Sequence, residues 1–66
     1  MRNTLKVERA KLDLTQEALA KKIGVSRQTI NSIEKGKYVP STVLALKMSE
    51  VFNVPVNSFF ELTDGD

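Results

Sequence analysis

Neither cysteine nor histidine occurs among the 66 residues. The first absence excludes disulfides, thiolate zinc sites and iron–sulfur clusters. The second excludes zinc fingers and acid–base catalysis by imidazole. No glycine-rich phosphate loop is present, and the only gathering of carboxylates is an acidic tail, so an enzyme has nothing to work with. The longest wholly apolar run, Val43–Leu46, falls far short of the roughly 18 residues that suggest a membrane span. No stretch alternates with the period of a strand. A chain this short buries only about 60% of its unfolded surface, so compact helix packing has to supply the core. The expectation is a soluble, cytoplasmic, single all-α domain over residues 1–62, with residues 63–66 as a frayed tail, and with no cofactor or metal.

Basic residues are missing from the last third. Residues 1–47 hold all ten Lys and Arg against four acids, which leaves +6, whereas residues 48–66 hold four acids and no cation, which leaves −4. A net charge of +2 therefore hides a polarity suited to a basic face on a polyanion, with the tail kept away from it.

Prolines, glycines and hydroxyl or Asn caps divide the chain into short helices. Leu5, Arg9 and Leu12 lie at i, i+4 and i+7 after Asn3 or Thr4, which predicts a first helix near 4–12 with an inward stripe. A second starts after Thr15, turns Leu19 and Ile23 inward and stops at Gly24, which takes a left-handed conformation without a Cβ penalty. Ser26 caps a third, residues 27–35, inward on Ile30 and Ile33 and stopped by Gly36. After Pro40 and Ser41, residues 43–52 read as a fourth, with Leu44, Met48 and Val51 or Phe52 inward and Asn53 closing it. Pro55 opens a short fifth near 55–61, in which Phe59 or Phe60 drops onto the core.

Residues 16–35, QEALAKKIGVSRQTINSIEK, join two of these helices through a three-residue turn, the helix-turn-helix arrangement. Two helices crossing steeply over so short a turn need a small residue at the fifth position, positive φ at the ninth, and apolar residues at the fifteenth and eighteenth. Ala20, Gly24, Ile30 and Ile33 stand there. Any one of them is commonplace; the joint match is specific.

Nearly the whole chain resembles the Cro/CI-like helix-turn-helix regulators, the XRE family, above all its short single-domain members. The resemblance is carried by LTQEALAKKIGVSRQTINSIEKGKYVPS (14–41) and LALKMSEVFNVPVNSFF (44–60). It implies a five-helix bundle of the phage-repressor DNA-binding type that binds duplex DNA, commonly as a homodimer, and regulates transcription. Asn53, where relatives often carry Gly, and Pro55, where a Ser or Asp cap is usual, depart from the pattern.

At about 100° per residue, turning Ile30, Ile33 and Glu34 inward leaves Gln28 and Ser32 at the centre of the opposite face. Arg27, Asn31 and Lys35 lie on one flank and Thr29 on the other. That face is polar and largely uncharged, composed of side chains that pair with base edges: Arg with guanine, Gln or Asn with adenine. The resemblance places Arg27, Gln28 and Ser32 at base-contacting positions, with Asn31 and Thr29 beside them. Phosphate contacts fall to Thr15 and Gln16, where the first turn of the second helix can donate N–H groups, and, by the resemblance, to Lys35, Gly36, Lys37 and Tyr38. Gln16 by the same resemblance braces the third helix.

Arg9 and Glu34 fall on inward stripes of helices that pack together, and in the family the matching positions form a salt bridge. Val43, Val56 and one of Phe59 or Phe60 exceed what a tiny core buries, which points to a homodimer through the C-terminal helices at Val56, Phe59 and Phe60. The expected function is a sequence-specific transcriptional repressor located on the nucleoid. The competing reading is an antitoxin or protein–protein adaptor on the same fold.

Overall fold

The computed structural model describes residues 1–66. A two-residue strand β1 (Arg2–Asn3) leads into α1 (Leu5–Lys11), α2 (Gln16–Ile23), α3 (Arg27–Glu34) and α4 (Thr42–Phe52), followed by a 3₁₀ turn (Val56–Ser58) and a second strand, β2 (Phe60–Glu61). The expected fifth helix is therefore corrected: there are four α-helices, and residues 55–61 form a 3₁₀ turn and a strand. β1 and β2 pair antiparallel, Arg2 opposite Glu61 and Asn3 opposite Phe60, and the ladder runs on through Thr4 N–H to the Phe59 carbonyl at 2.9 Å. Pairing the chain ends this way consumes backbone groups that a 3₁₀ turn of three residues leaves free.

Each helix end has a local cause. Thr15, Ser26 and Ser41 sit in extended conformations, and their hydroxyls accept from the backbone N–H groups of Ala18, Thr29 and Leu44 respectively. At α1 Thr4 holds the N-cap position without a side-chain bond, and Asn3 supplies one instead, its Oδ1 accepting from Leu5 N–H at 3.2 Å. All four helices stop in the same way. Asp13, Gly24, Gly36 and Asn53 take positive φ, and the N–H of the following residue, Leu14, Val25, Lys37 or Val54, reaches back to the carbonyl of Arg9, Ala20, Ser32 or Ser49. This is the Schellman closure. Two of the four left-handed residues are not glycine, but Asn and Asp are the side chains that tolerate the conformation best.

The core is Leu5, Leu19, Ala20, Ile23, Ile30, Ile33, Leu44, Met48, Phe52, Phe59 and Phe60. Phe59 meets Phe52 edge to face, with ring centroids 5.2 Å apart, a favoured arrangement for aromatic quadrupoles. Both C-terminal phenylalanines are in the core, Phe59 at 2% and Phe60 at 9% exposure. Phe60 nonetheless also lines a surface groove, together with Val39, Leu46 and Val56. Leu12 is a second correction. It lies exposed beside Leu14, Lys22 and Val51, because α1 ends at Lys11 and the chain swings out at Asp13. Glu8 takes the inward place instead, with its carboxylate 3.2 Å from Lys11 Nζ. Residues 63–66 form a turn in which Asp66 accepts from Thr63 N–H and ion-pairs with the amino terminus at 2.9 Å.

Candidate nucleic-acid interface

α2 and α3 pack through Leu19, Ala20 and Ile23 against Ile30 and Ile33, all buried. With that face fixed, α3 presents its opposite side to solvent. Arg27 and Gln28 are exposed there, and Ser32 and Thr29 are half-buried. Two shallow recesses flank Gln28. One is lined by Ser26, Thr29, Ser32, Lys37 and Tyr38, the other by Ser26, Arg27 and Asn31. The Thr29 hydroxyl lies 3.0 Å from that of Ser26, which ties it into the cap.

At the start of α2, Thr15 spends its oxygen on the Ala18 N–H, and the first-turn N–H groups next to it have no partner within the helix. Beyond the other end of α3, Lys35, Gly36, Lys37 and Tyr38 are all exposed. Gly36 at φ 75° is what turns the chain so that Lys37 and Tyr38 come back beside Ser32 and Gln28. The candidate phosphate contacts thus lie on either side of α3. Lys21 and Lys22 are exposed on α2 without an ion-pair partner.

Behind this face is a polar network. Arg9 donates from Nε to Glu34 Oε2 at 2.6 Å, from Nη2 to Glu34 Oε1 at 3.1 Å, and from Nη1 to the Leu14 carbonyl at 2.8 Å. The two side chains are 13% and 10% exposed. The carboxylate raises the guanidinium pKa above its ordinary value, its hydrogen bond outweighing the desolvation that acts the other way. Gln16 Nε2 donates to Glu34 Oε1 at 3.2 Å and to Asn31 Oδ1 at 3.3 Å. Asn3 is the residue that sequence reasoning missed. Its Nδ2 donates to the Ile33 carbonyl at 2.9 Å, a second bond on an oxygen at the end of α3 that also accepts from the Gly36 N–H. The signal was an Asn next to a helix start, but its second partner lies 30 residues away.

The helix-turn-helix family model matches residues 5–59. The chain belongs to the helix-turn-helix family. Its members of this kind, the Cro/CI-like or XRE type, are transcriptional regulators and not enzymes. An HTH-type transcriptional regulator of Methanocaldococcus jannaschii is 54% identical over 66 residues, covering 100% of both chains. YgzD, an HTH-type transcriptional regulator of Bacillus subtilis, is 44% identical over 64 residues and 97% of each chain. Among solved structures, the P22 c2 repressor in complex with a synthetic operator matches with a TM-score of 0.77 at 29% identity, over 94% of this chain and 89% of that one. LexA of Eubacterium rectale, a transcriptional repressor, matches with a TM-score of 0.79 at 32% identity, over 94% of this chain and 66% of its own. The resemblance read from residues 14–41 and 44–60 is thus a family relationship, and the fold is that of the phage repressors. No helix is long and apolar enough to cross a membrane.

Proposed function

We propose that this helix-turn-helix protein represses transcription by inserting α3 into the major groove of a specific duplex operator. The observation that carries the reading is the exposed face of α3: Arg27 and Gln28 stand between two open recesses, on a helix that Gln16, Asn3 and the Arg9–Glu34 pair hold from behind. A merely solvated helix has no need of such bracing. Arg27, Gln28, Ser32, Asn31 and Thr29 read bases, while the start of α2 and residues Lys35, Gly36, Lys37 and Tyr38 contact phosphates on either side. The P22 c2 repressor, of the same fold, was solved on a synthetic operator, which supports the assignment. Such a protein would act on the nucleoid.

The protein acts as a homodimer, through a surface that Val56 and Phe60 share with the segment before α4 and with α4 itself. Val39, Val43 and Leu46 are exposed at 62%, 64% and 55%, and Val39, Pro40, Ala45, Leu46, Val56 and Phe60 line one largely apolar groove together with Met1. The amino terminus of Met1 is already paired with Asp66, so a second copy meets no unpaired like charge there. Sedimentation that shows only monomer, with and without DNA, refutes the dimer. The DNA reading is tested by titrating a fluorescent duplex of the protein's own upstream region against a scrambled control at about 50 and 200 mM salt. A preference of at least about a thousandfold is expected. Weak and equal binding to both overturns the reading and turns the search to a protein partner.

A further inference from the structure

Asn and Gln side chains carry an acceptor and a donor on one planar group, and a 180° flip exchanges them. A base-reading amide that flips freely offers two opposite patterns to the same base edge. Asn31 has only one pattern, and its cause can be followed inward. Glu34, ion-paired with Arg9 through both carboxylate oxygens, can only accept. Gln16 therefore has to face it with its nitrogen, 3.2 Å from Glu34 Oε1. The second hydrogen of that nitrogen points to Asn31, and a donor there requires the Asn31 oxygen, 3.3 Å away. Asn31 Nδ2 is left without a protein partner and is not buried. Each step admits only one orientation of the next.

We infer that the Arg9–Glu34 pair, beyond tying α1 to α3, sets the hydrogen-bond polarity with which Asn31 meets DNA, Gln16 passing it on. Glu34 and Gln16 are thus positioning residues for base readout. The inference rests on the proposed DNA reading, and it gives the buried ion pair a role in specificity that the tie between helices does not need. It differs from simple bracing in what it demands. A group that only holds α3 in place affects every base position alike; one that fixes the flip of one amide affects one position.

The test is binding-site selection from a random duplex library with four proteins: wild type, Asn31→Ala, Gln16→Met and Glu34→Gln. Asn31→Ala marks the base position that Asn31 reads. At that position wild type selects one base sharply, and both Gln16→Met and Glu34→Gln lower the discrimination at least about fivefold while other positions keep theirs. In Glu34→Gln one of the two atoms that face Arg9 becomes an NH₂, which cannot accept from the guanidinium, so half of the pair is lost and the side chain at 34 no longer dictates which end of Gln16 it meets. If a variant fails to fold, side-chain amide exchange by NMR on free wild type decides. The Gln16 NH₂ is then protected and the Asn31 NH₂ fast, and the reverse pattern overturns the inference. It is equally overturned by an Asn31→Ala variant with an unchanged selected site, or by discrimination that persists in Gln16→Met. A wild-type protein that enriches no sequence overturns the DNA reading itself.

Discussion

A methyl group added to Gly24 would meet nothing within 4 Å. Space is not what requires glycine there; φ of 77° is. Gly24→Ala should therefore cost only the left-handed penalty, about 1–2 kcal/mol, and chemical denaturation of the variant reads it directly. A loss above about 3 kcal/mol would mean that the turn between α2 and α3 is sterically tight. Arg9 poses the opposite case, since its cost lies in what it leaves behind. Arg9→Ala strands a carboxylate in a nearly closed site, where breaking a buried pair costs about 3–5 kcal/mol. Gln16 still donates to Glu34 in that variant, so the lower end is expected. A loss under about 1 kcal/mol would place the pair among solvent-screened contacts.

Elements differ in how far their own residues specify them. α2 and α3 were legible because every device that makes them is local: Thr15 and Ser26 caps, the Gly24 stop, and Ala20, Ile30 and Ile33 at the crossing. The end of α1 was misread because its left-handed residue is Asp13, and Asp carries no such signal unless the Leu14 N–H is seen closing on Arg9. The β1–β2 ribbon was out of reach. Two residues have no period, and their partners lie 59 positions apart, as in the ion pair of Arg2 with Glu61. Of the candidate interface, the face of α3 could be read from helical period alone, whereas its support by Asn3 could not, because that contact exists only once β1 is laid beside β2. Asn3 is the joint between the ribbon, α1 and α3. Asn3→Ala removes an acceptor from Leu5 N–H and a donor from the Ile33 carbonyl, and about 1–3 kcal/mol should be lost. Asn3→Asp keeps the acceptor but sets a carboxylate against that carbonyl. It should be no better than Ala in urea denaturation, and a full rescue by Asp would show that only the α1 cap matters.

At the scale of the whole molecule, charge is distributed so that some of it serves the fold and the rest is free. The chain ends are tied by the amino terminus and Asp66, whose carboxyl is lowered to about 2 by the Thr63 N–H first, with the amino terminus and the Thr63 hydroxyl adding to it. A folded value below the ordinary 3.8 means that the tie contributes at neutral pH and is lost progressively as pH falls below about 4 and through about 2. Wild type should thus be more stable than Asp66→Asn at pH 6, with the gap shrinking as pH falls through about 2; a gap that keeps its full size in acid would assign the difference to something other than this carboxylate. Arg2, Arg9 and Lys11 are likewise taken up by Glu61, Glu34 and Glu8. The remaining cations, Lys6, Lys21, Lys22, Arg27, Lys35, Lys37 and Lys47, have no ion-pair partner. Three of them, Arg27, Lys35 and Lys37, lie on α3 or the loop that leaves it, while the acids of residues 48–66 sit elsewhere in the chain. Binding to duplex should then release counterions chiefly through these three, each adding about 0.9 to the log–log salt slope. Lys37→Ala is the clean case, because Lys37 makes no ion pair, so its loss should leave folding unchanged. Its affinity for upstream and scrambled duplex should fall by the same factor, with the slope shallower by about 0.9. A fall confined to the upstream duplex, with the slope unaltered, would instead make Lys37 a reader of bases and move the edge of the recognition surface from α3 to the loop after it.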